Sequence, residues 1–301
     1  MSGSEQPSIS VVVPTHDRPL ALSRCLEALA AQTVEDEIEV IVVDDGSRAG
    51  EEVAAVVARH PSARLVRRSG GGPAAARNAG ALVAQGAFLC FTDDDCAPGP
   101  NWAERLVQTL QGGADAAAGT TTLTRTGPLA EAFELIAQAP AAVPPAHGSD
   151  LSFAPSNNIA CTRSVFEATP FDESYPHAAG EDREWCARLT ANGFALRSAP
   201  AAHVVHDQEL TLKRFLSHQV RYGDGAFRFH RSQQGPPLEP PAFYVALLRR
   251  AFGKGFATGL LVGAAQAGTA AGFVKAWVMA RAQPRPLTPE TTSGTARREG
   301  P

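Results

Sequence analysis

The chain has 301 residues, 44% hydrophobic and 19% charged, with a formal net charge of −4. This composition fits a folded protein with one sizeable core and a smaller second unit, and excludes a disordered chain. The negative balance, with no interleaved aromatic and basic residues, argues against a nucleic-acid partner. The five cysteines, Cys25, Cys90, Cys96, Cys161 and Cys186, are odd in number and lack C-x-x-C spacing, which argues against a zinc site or a disulfide framework. Cys25 and Cys90 sit on apolar faces as small core residues, and a reducing cytoplasm is expected. Residues 1–7 are polar, so no secretion signal is expected.

Ser8 to Pro14 reads as an apolar strand. Asp17 is placed to cap a helix starting near Pro19, in which Leu22, Cys25, Leu26 and Leu29 recur at helical spacing. A second strand, Glu39 to Val43, runs into Asp44-Asp45-Gly46-Ser47, and a helix follows over Glu51 to Arg59. A short strand at Arg64 to Val66 precedes Gly70-Gly71-Gly72 and a helix over Pro73 to Gln85. Ala87 to Thr92 is a buried strand that empties into Asp93-Asp94-Asp95. A helix over Trp102 to Leu110 and a strand over Asp115 to Thr121 come next. From Leu123 to Leu151 periodicity is poor, and one short helix is expected near Leu129 to Gln138. A helix over Glu181 to Asn192, a strand over Phe194 to Ser198 and a long helix over Thr211 to His230 complete the patterned part. Alternating strands and helices predict a parallel sheet with helices on both faces and ligands at the carboxyl ends of the strands. The polar clusters after Val13, Val43 and Phe91 would then meet in one crevice.

The acid triplet carries the sharpest chemistry. Three carboxylates at the mouth of a buried strand repel one another unless positive charge lies between them, and a divalent metal holding a phosphorylated ligand is the natural candidate. The plain alternative is an Asp-rich turn. Asp44-Asp45-Gly46-Ser47 has the composition of a turn, yet carries one acid more than a turn needs, free for a base or ribose. The three glycines before a helix allow a close anion contact, with Arg77 as a planar grip, although the spacing is neither G-x-G-x-x-G nor a P-loop. Gly180-Glu181-Asp182 supplies either a helix-end acid pair or a general base. His203 and His206 follow a strand; one could complete a metal shell, but H-x-x-H on an extended segment does not aim both rings at one ion.

Ser10-Val11-Val12-Val13-Pro14-Thr15, Val42-Val43-Asp44-Asp45-Gly46-Ser47, Ala76-Arg77-Asn78, Asp93-Asp94-Asp95 and Gly180-Glu181-Asp182 resemble, in order and spacing, the motifs of family 2 glycosyltransferases. The match covers roughly residues 8–230. The resemblance implies an α/β GT-A fold with a mostly parallel nucleotide-binding sheet. It implies transfer from a nucleoside-diphosphate sugar donor to a glycan or lipid-linked acceptor, with inversion and with Mg2+ or Mn2+ as cofactor. By the same resemblance Pro14, Thr15 and Asp45 hold the nucleotide, Arg77 lies near its phosphates, and Asp93 contacts ribose or donor sugar. Asp95 or Asp94 meets the metal with His206, Asn157 and Asn158 line the sugar pocket, and Asp182, beside Glu181, is the base. Trp185 is a candidate aromatic wall for a sugar. The triplet departs from the family's D-x-D, which leaves the choice between Asp94 and Asp95 open.

The expected organisation is a GT-A domain over 1–230, a Pro-rich linker over 231–241, a helical extension over 242–282 and a disordered tail over 283–301. Residues 255–274 carry no charge and are long enough to span a bilayer, though rich in Ala and Gly. A span, a membrane-surface contact and an ordinary packed helix all fit that stretch, and Arg249, Arg250 and Lys254 suit anionic headgroups. Two other function classes compete: a sugar nucleotidyltransferase and a non-catalytic protein that binds a nucleotide sugar or a membrane partner.

Overall fold

The computed structural model describes residues 7–139, 149–232 and 239–282. The expected disordered tail, most of the expected linker and part of the weakly patterned 123–151 connection lie outside these residues. The chain forms β1 (Ile9–Thr15), α1 (Pro19–Ala30), β2 (Ile38–Asp45), α2 (Gly50–Val57), β3 (Ala63–Arg68), α3 (Pro73–Val83), β4 (Phe88–Thr92) and β5 (Cys96–Pro98). It continues through α4 (Trp102–Gln111), β6 (Ala116–Leu123), α5 (Pro128–Ala137), β7 (Asn158–Thr162), α6 (Arg163–Ala168), α7 (Glu181–Ala191) and β8 (Leu196–His206). Three helices close it: α8 (Leu212–Arg231), α9 (Pro241–Lys254) and α10 (Phe256–Ala282).

The strands form one sheet in the order β3-β2-β1-β4-β7-β6-β8-β5. The first four pair in parallel, as the alternation of strand and helix predicts. Beyond β4 the sheet is mixed: β7 runs antiparallel to β4 and β6, and β5 runs antiparallel to β8. With β6 and β8 also parallel, four of the seven pairings are parallel, so the mostly parallel expectation holds in a sheet that is mixed rather than wholly parallel. The physical reason lies in the connections, because β4 reaches β7 through a long excursion rather than a short crossover helix. The reversal places the start of β7 at the acid end of the sheet, with Asn158 opposite Thr92. The last strand is longer than its apolar run, so His203 and His206 belong to β8 instead of following it, and His206 pairs with Cys96.

Side chains alternate between two cores, as period-two strands require. Val11, Val13, Val40 and Val42 face α1, α2 and α4, with Leu22, Leu26, Val53 and Leu106. Val12, Ile41, Val43 and Phe91 face α3, α6 and α7, with Ala76, Phe166, Trp185 and Leu189. A third core joins α5 and α8 to α9 and α10 through Leu135, Phe215, Leu247, Ala251 and Val262.

Asn158 holds the two halves of the sheet together. The β6–β8 register shifts between Ala118 and Thr120, and a side chain at Gly119 would run into the carbonyl of Ala202. The Asn158 amide donates to the carbonyls of Thr120 at 2.9 Å and Ala202 at 3.1 Å, while its oxygen accepts from Trp102 Nε1 at 2.8 Å. Its fully buried side chain supplies the pairing that the bulge removes. Asn158→Ala should strand two carbonyls and an indole N–H and lower unfolding free energy by about 2–4 kcal/mol. Urea denaturation measures this; a loss under about 1 kcal/mol would mean the bulge is satisfied otherwise.

Candidate active site at the carboxyl ends of the strands

The acid cluster forms where β1, β2 and β4 end and where β7, α7 and the end of β8 meet them. Asp44 and Asp45 divide the work of their motif. Buried Asp44 accepts from Ser47 N at 2.9 Å and makes the turn, with Gly46 at φ 83°. Asp45 points on towards the glycine loop, accepts from Gly72 N at 2.7 Å and lies 3.5 Å from Arg68 Nε. Gly70, Gly71 and Gly72 all have positive φ, and a Cβ on Gly72 would collide with the Pro176 carbonyl. The glycines thus let α3 start close against the loop before α7. Half-buried Pro14 closes β1 opposite Val43, and His16 Nδ1 lies 3.0 Å from the Asp45 carbonyl.

Asp17 does not cap α1. Its residue has φ 55°, and its carboxylate accepts from Arg48 N at 2.6 Å and Ala49 N at 3.1 Å, bracing the entry to α2. Arg18 is the N-terminal flank of α1, with no side-chain cap there.

Two arginines lie between the acids of the triplet. Arg77, 3% exposed, donates to Asp93 Oδ1 at 2.7 Å and reaches Glu181 Oε1 at 3.4 Å. Its terminal nitrogens are therefore engaged by carboxylates. Arg18 NH1 lies 3.1 Å from Asp94 Oδ1 and 2.6 Å from Asp95 Oδ2. Sequence reasoning missed Arg18; the signal was a cation at the mouth of the first strand.

Asp94 and Asp95 separate in role. Asp94 is buried and accepts from Thr15 Oγ at 2.7 Å. Burial pushes its carboxyl up to about 7 against the pull of Arg18, with Asp95 adding to the rise. Asp95 also suffers burial, but His206 and Arg18 beside it hold it below the ordinary carboxylate range. Burial disfavours the His206 imidazolium, yet Asp95 raises it above its usual value.

The site fits a hard divalent cation. Asp95 Oδ1 is buried without a hydrogen-bond partner among the described residues, although His206 Nε2 lies 3.1 Å away. Charge attraction holds that pair while one lone pair stays unused. Asp95, Cys96 and His206 bring ligand atoms within 4.8 Å of one another. Burial, with Asp93 and Asp95 nearby, raises the Cys96 thiol, so the thiolate is disfavoured and oxygen and imidazole are the available ligands. His203 turns to Thr122 Oγ at 2.9 Å, so the two rings of H-x-x-H serve different ends.

The acid pair at α7 sits across Arg77 from Asp93. Glu181 Oε2 accepts from Ala179 N at 2.8 Å, and Asp182 Oδ1 from Arg183 N at 2.8 Å. Burial raises Glu181, with Arg77 opposing. Half-buried Asp182 is pushed up to about 7 by burial and by the Glu181 carboxylate. A carboxyl poised there exchanges protons near neutrality.

Two further expectations change. Asn158 is sealed in the sheet and Asn157 is buried, its oxygen accepting from Thr121 Oγ at 3.3 Å. The Asn158 side chain is thus committed to the fold rather than to a sugar. Trp185 is 1% exposed, stacks on Phe171 at 5.2 Å and donates to the Thr169 carbonyl at 2.7 Å. It is a core residue and offers no wall to a sugar. Two surface concavities, of about 290 and 390 Å3, are lined by Arg105 with Ser198 and by Arg68 with Phe166; neither holds the acids, so chemistry marks the site rather than depth.

Residues 10–135 match the family described as Glycosyl transferase family 2. The chain is 30% identical over 235 residues to the glycosyltransferase AglE of Haloferax volcanii, covering 74% of each chain. It is also 30% identical over 243 residues to the pre-mycofactocin glycosyltransferase of Mycobacterium tuberculosis, covering 75% of this chain and 48% of that protein. The chain thus spans about half the length of that relative. Its fold is similar to the mannosyltransferase PcManGT from Pyrobaculum calidifontis, solved with GDP-Man and Mn2+, at a TM-score of 0.55 and 19% identity over 92% of this chain and 79% of that one. S. aureus TarS matches at a TM-score of 0.54 and 16% identity, over 88% of this chain and 54% of that one. With its motifs at the strand ends of a mixed α/β sheet of GT-A type, the chain belongs to glycosyltransferase family 2.

Proposed function

We propose that the chain transfers a sugar from a nucleoside-diphosphate sugar to a hydroxyl of a glycan acceptor, inverting the anomeric centre. The observation that carries this reading is the pairing of two charged groups at the strand ends, His206 with Asp95, and Asp93 with Arg77 and Glu181 beside Asp182. The first offers a cation site and the second a proton acceptor. Asp182 takes the acceptor's proton as the acceptor oxygen bonds to the anomeric carbon. The bond from that carbon to the diphosphate oxygen breaks, and one displacement inverts configuration. Glu181, tied to Ala179 N and Arg77, fixes the start of α7 and keeps Asp182 basic through like charge. Asp45, with the glycine loop and Pro14, borders the nucleotide side. Asp95 and His206 would hold Mg2+ or Mn2+, which when bound supplies positive charge for the departing diphosphate. Five buried free thiols suit a reducing cytoplasm.

The primary test offers UDP-, GDP- and dTDP-sugars with Mn2+ or Mg2+ and follows nucleoside-diphosphate release and thermal shift. GDP-mannose belongs in the panel because PcManGT was solved with it. Release of pyrophosphate would favour a nucleotidyltransferase, and binding without turnover a non-catalytic protein.

Asp182→Asn should lower transfer by about 10²–10⁴-fold and leave donor affinity nearly unchanged. Transfer at wild-type rate would remove Asp182 as the base. The base must be ionised, and its folded pKa is raised to about 7, so kcat/KM should climb as pH rises through about 7 and flatten above it. A profile flat from pH 5.5 to 8 would contradict this assignment.

Arg18 now occupies the charge that a cation at Asp95 would balance. Arg18→Gln should therefore tighten donor-free Mn2+ binding several-fold, and Asp95→Ala should abolish it, as read by calorimetric titration. Equal Mn2+ affinity in all three proteins would place the metal elsewhere.

A further inference from the structure

Exposed large apolar side chains concentrate in the C-terminal hairpin. Val245 and Phe252 on α9, and Phe256, Leu260, Val274 and Trp277 on α10, are each at least 41% exposed. On α10 the exposed positions recur at helical spacing, from Phe256 through Leu260, Ala264, Ala267 and Ala271 to Val274 and Val278. Lys275, between Ala271 and Val278, is the first charged residue beside that stripe. All five charged side chains of α9 and α10 are basic: Arg249, Arg250, Lys254, Lys275 and Arg281. Arg281 lies over the Trp277 ring, 3.9 Å from its centroid. An unbroken apolar stripe with basic ends and no acid complements an anionic lipid surface.

Phe256–Arg281 is long and apolar enough to cross a membrane, but the opposite side of α10 argues against a span. It packs along α8 and α5, where Thr258 donates to Glu131 at 2.8 Å and Phe273 meets Phe227 edge-on at 5.5 Å. A Cβ on Gly272 would strike the Val220 carbonyl, and one on Gly223 the Thr269 carbonyl, so α8 and α10 are in backbone contact. A bilayer around α10 would also enclose Glu131, Arg221, Asp224 and Arg228 of those partners, at a high desolvation cost.

We infer that the α9–α10 hairpin docks the protein in the plane of an anionic bilayer surface, with the exposed stripe of α10 towards the lipid and without crossing it. The docking face and the base are one helix apart. A Cβ on Gly225 of α8 would strike the Ala179 carbonyl beside Glu181, and Tyr222 of α8 feels the Asp182 charge. An α-helix is ~10 Å across, so an acceptor held at the lipid surface is within reach of Asp182. The lipid-borne acceptor rests on the transferase reading; the docking face does not.

Full-length protein is mixed with phosphatidylcholine vesicles, with or without 30% phosphatidylglycerol, at low and high salt, and bound protein is sedimented. Preferential binding to the anionic vesicles by tenfold or more is expected, with loss at high salt and release by alkaline carbonate. Two variants, Phe256→Ser with Leu260→Ser and Arg249→Gln with Arg250→Gln and Lys254→Gln, should each weaken binding about tenfold while keeping wild-type thermal stability and donor-induced shift. Retention of bound protein after carbonate would overturn docking in favour of a span. Unchanged binding in both variants, no vesicle binding, or a dimer that buries the hairpin would also overturn it. A normal donor shift with any of these results leaves the transferase reading standing, and vesicle binding without any donor shift removes that reading alone.

Discussion

The concentration of negative charge at the strand ends is the constraint on which this structure depends. Asp93, Asp94, Asp95, Glu181 and Asp182 converge from two parts of the sequence nearly ninety residues apart. In a partly dry site such a set cannot ionise together without counter-charge. Arg77 meets the need from below, buried between Asp93 and Glu181. Arg18 meets it from the solvent side, bridging Asp94 and Asp95. The remaining strain shows in the protons: Asp94 and Asp182 are both pushed towards neutrality, while Asp95, beside His206, stays ionised. Asp94 and Asp95, adjacent in sequence, thus shift in opposite directions because their partners differ.

This division bears on Arg77. A guanidinium sealed between two carboxylates is a costly group to bury, and its first effect is to fix the distance between the end of β4 and the start of α7. Phe171 closes over it at 5.6 Å, and Asn78, the next residue, ties α3 to the Phe171 backbone from both ends of its amide. On the proposed reading, Asp182 as proton acceptor and Asp93 on the donor side must keep a set separation. Arg77 supplies that separation, whereas Arg18, with its side chain more than half exposed, holds Asp94 and Asp95 from the solvent side.

Much of this was legible in the sequence. Continuous apolar runs revealed β1, β2 and β4, and the acids after β2 and β4 marked the polar edge of the sheet. The sequence was silent where a residue's partner lies far along the chain. The family resemblance places Asn158 in the sugar pocket, but the bulge at Gly119 makes its amide a structural necessity. Trp185 sits near the acids in sequence, yet helical phase turns it inward against Phe171. The reversed sense of β7 was invisible because a short run such as Ile159-Ala160-Cys161 does not encode direction. Asp17 precedes a proline-started helix as a cap should, but a positive φ swings its carboxylate to the next helix.

The C-terminal helices follow from the same logic of partners. Glycine and alanine lowered the apparent hydrophobicity of α10 and left its place open, yet they also made its place possible. Gly223 of α8 and Gly272 of α10 permit backbone contact between the two helices, so one face of α10 is fixed to α8. With that face used, Val262 and Phe273 pack inward and most of the larger residues are left to the outside. A water-soluble helix normally distributes them the other way, large apolar inside and polar outside. The inversion, flanked by basic residues and lying one helix from Asp182, is what connects the shape of the extension to the chemistry of the site.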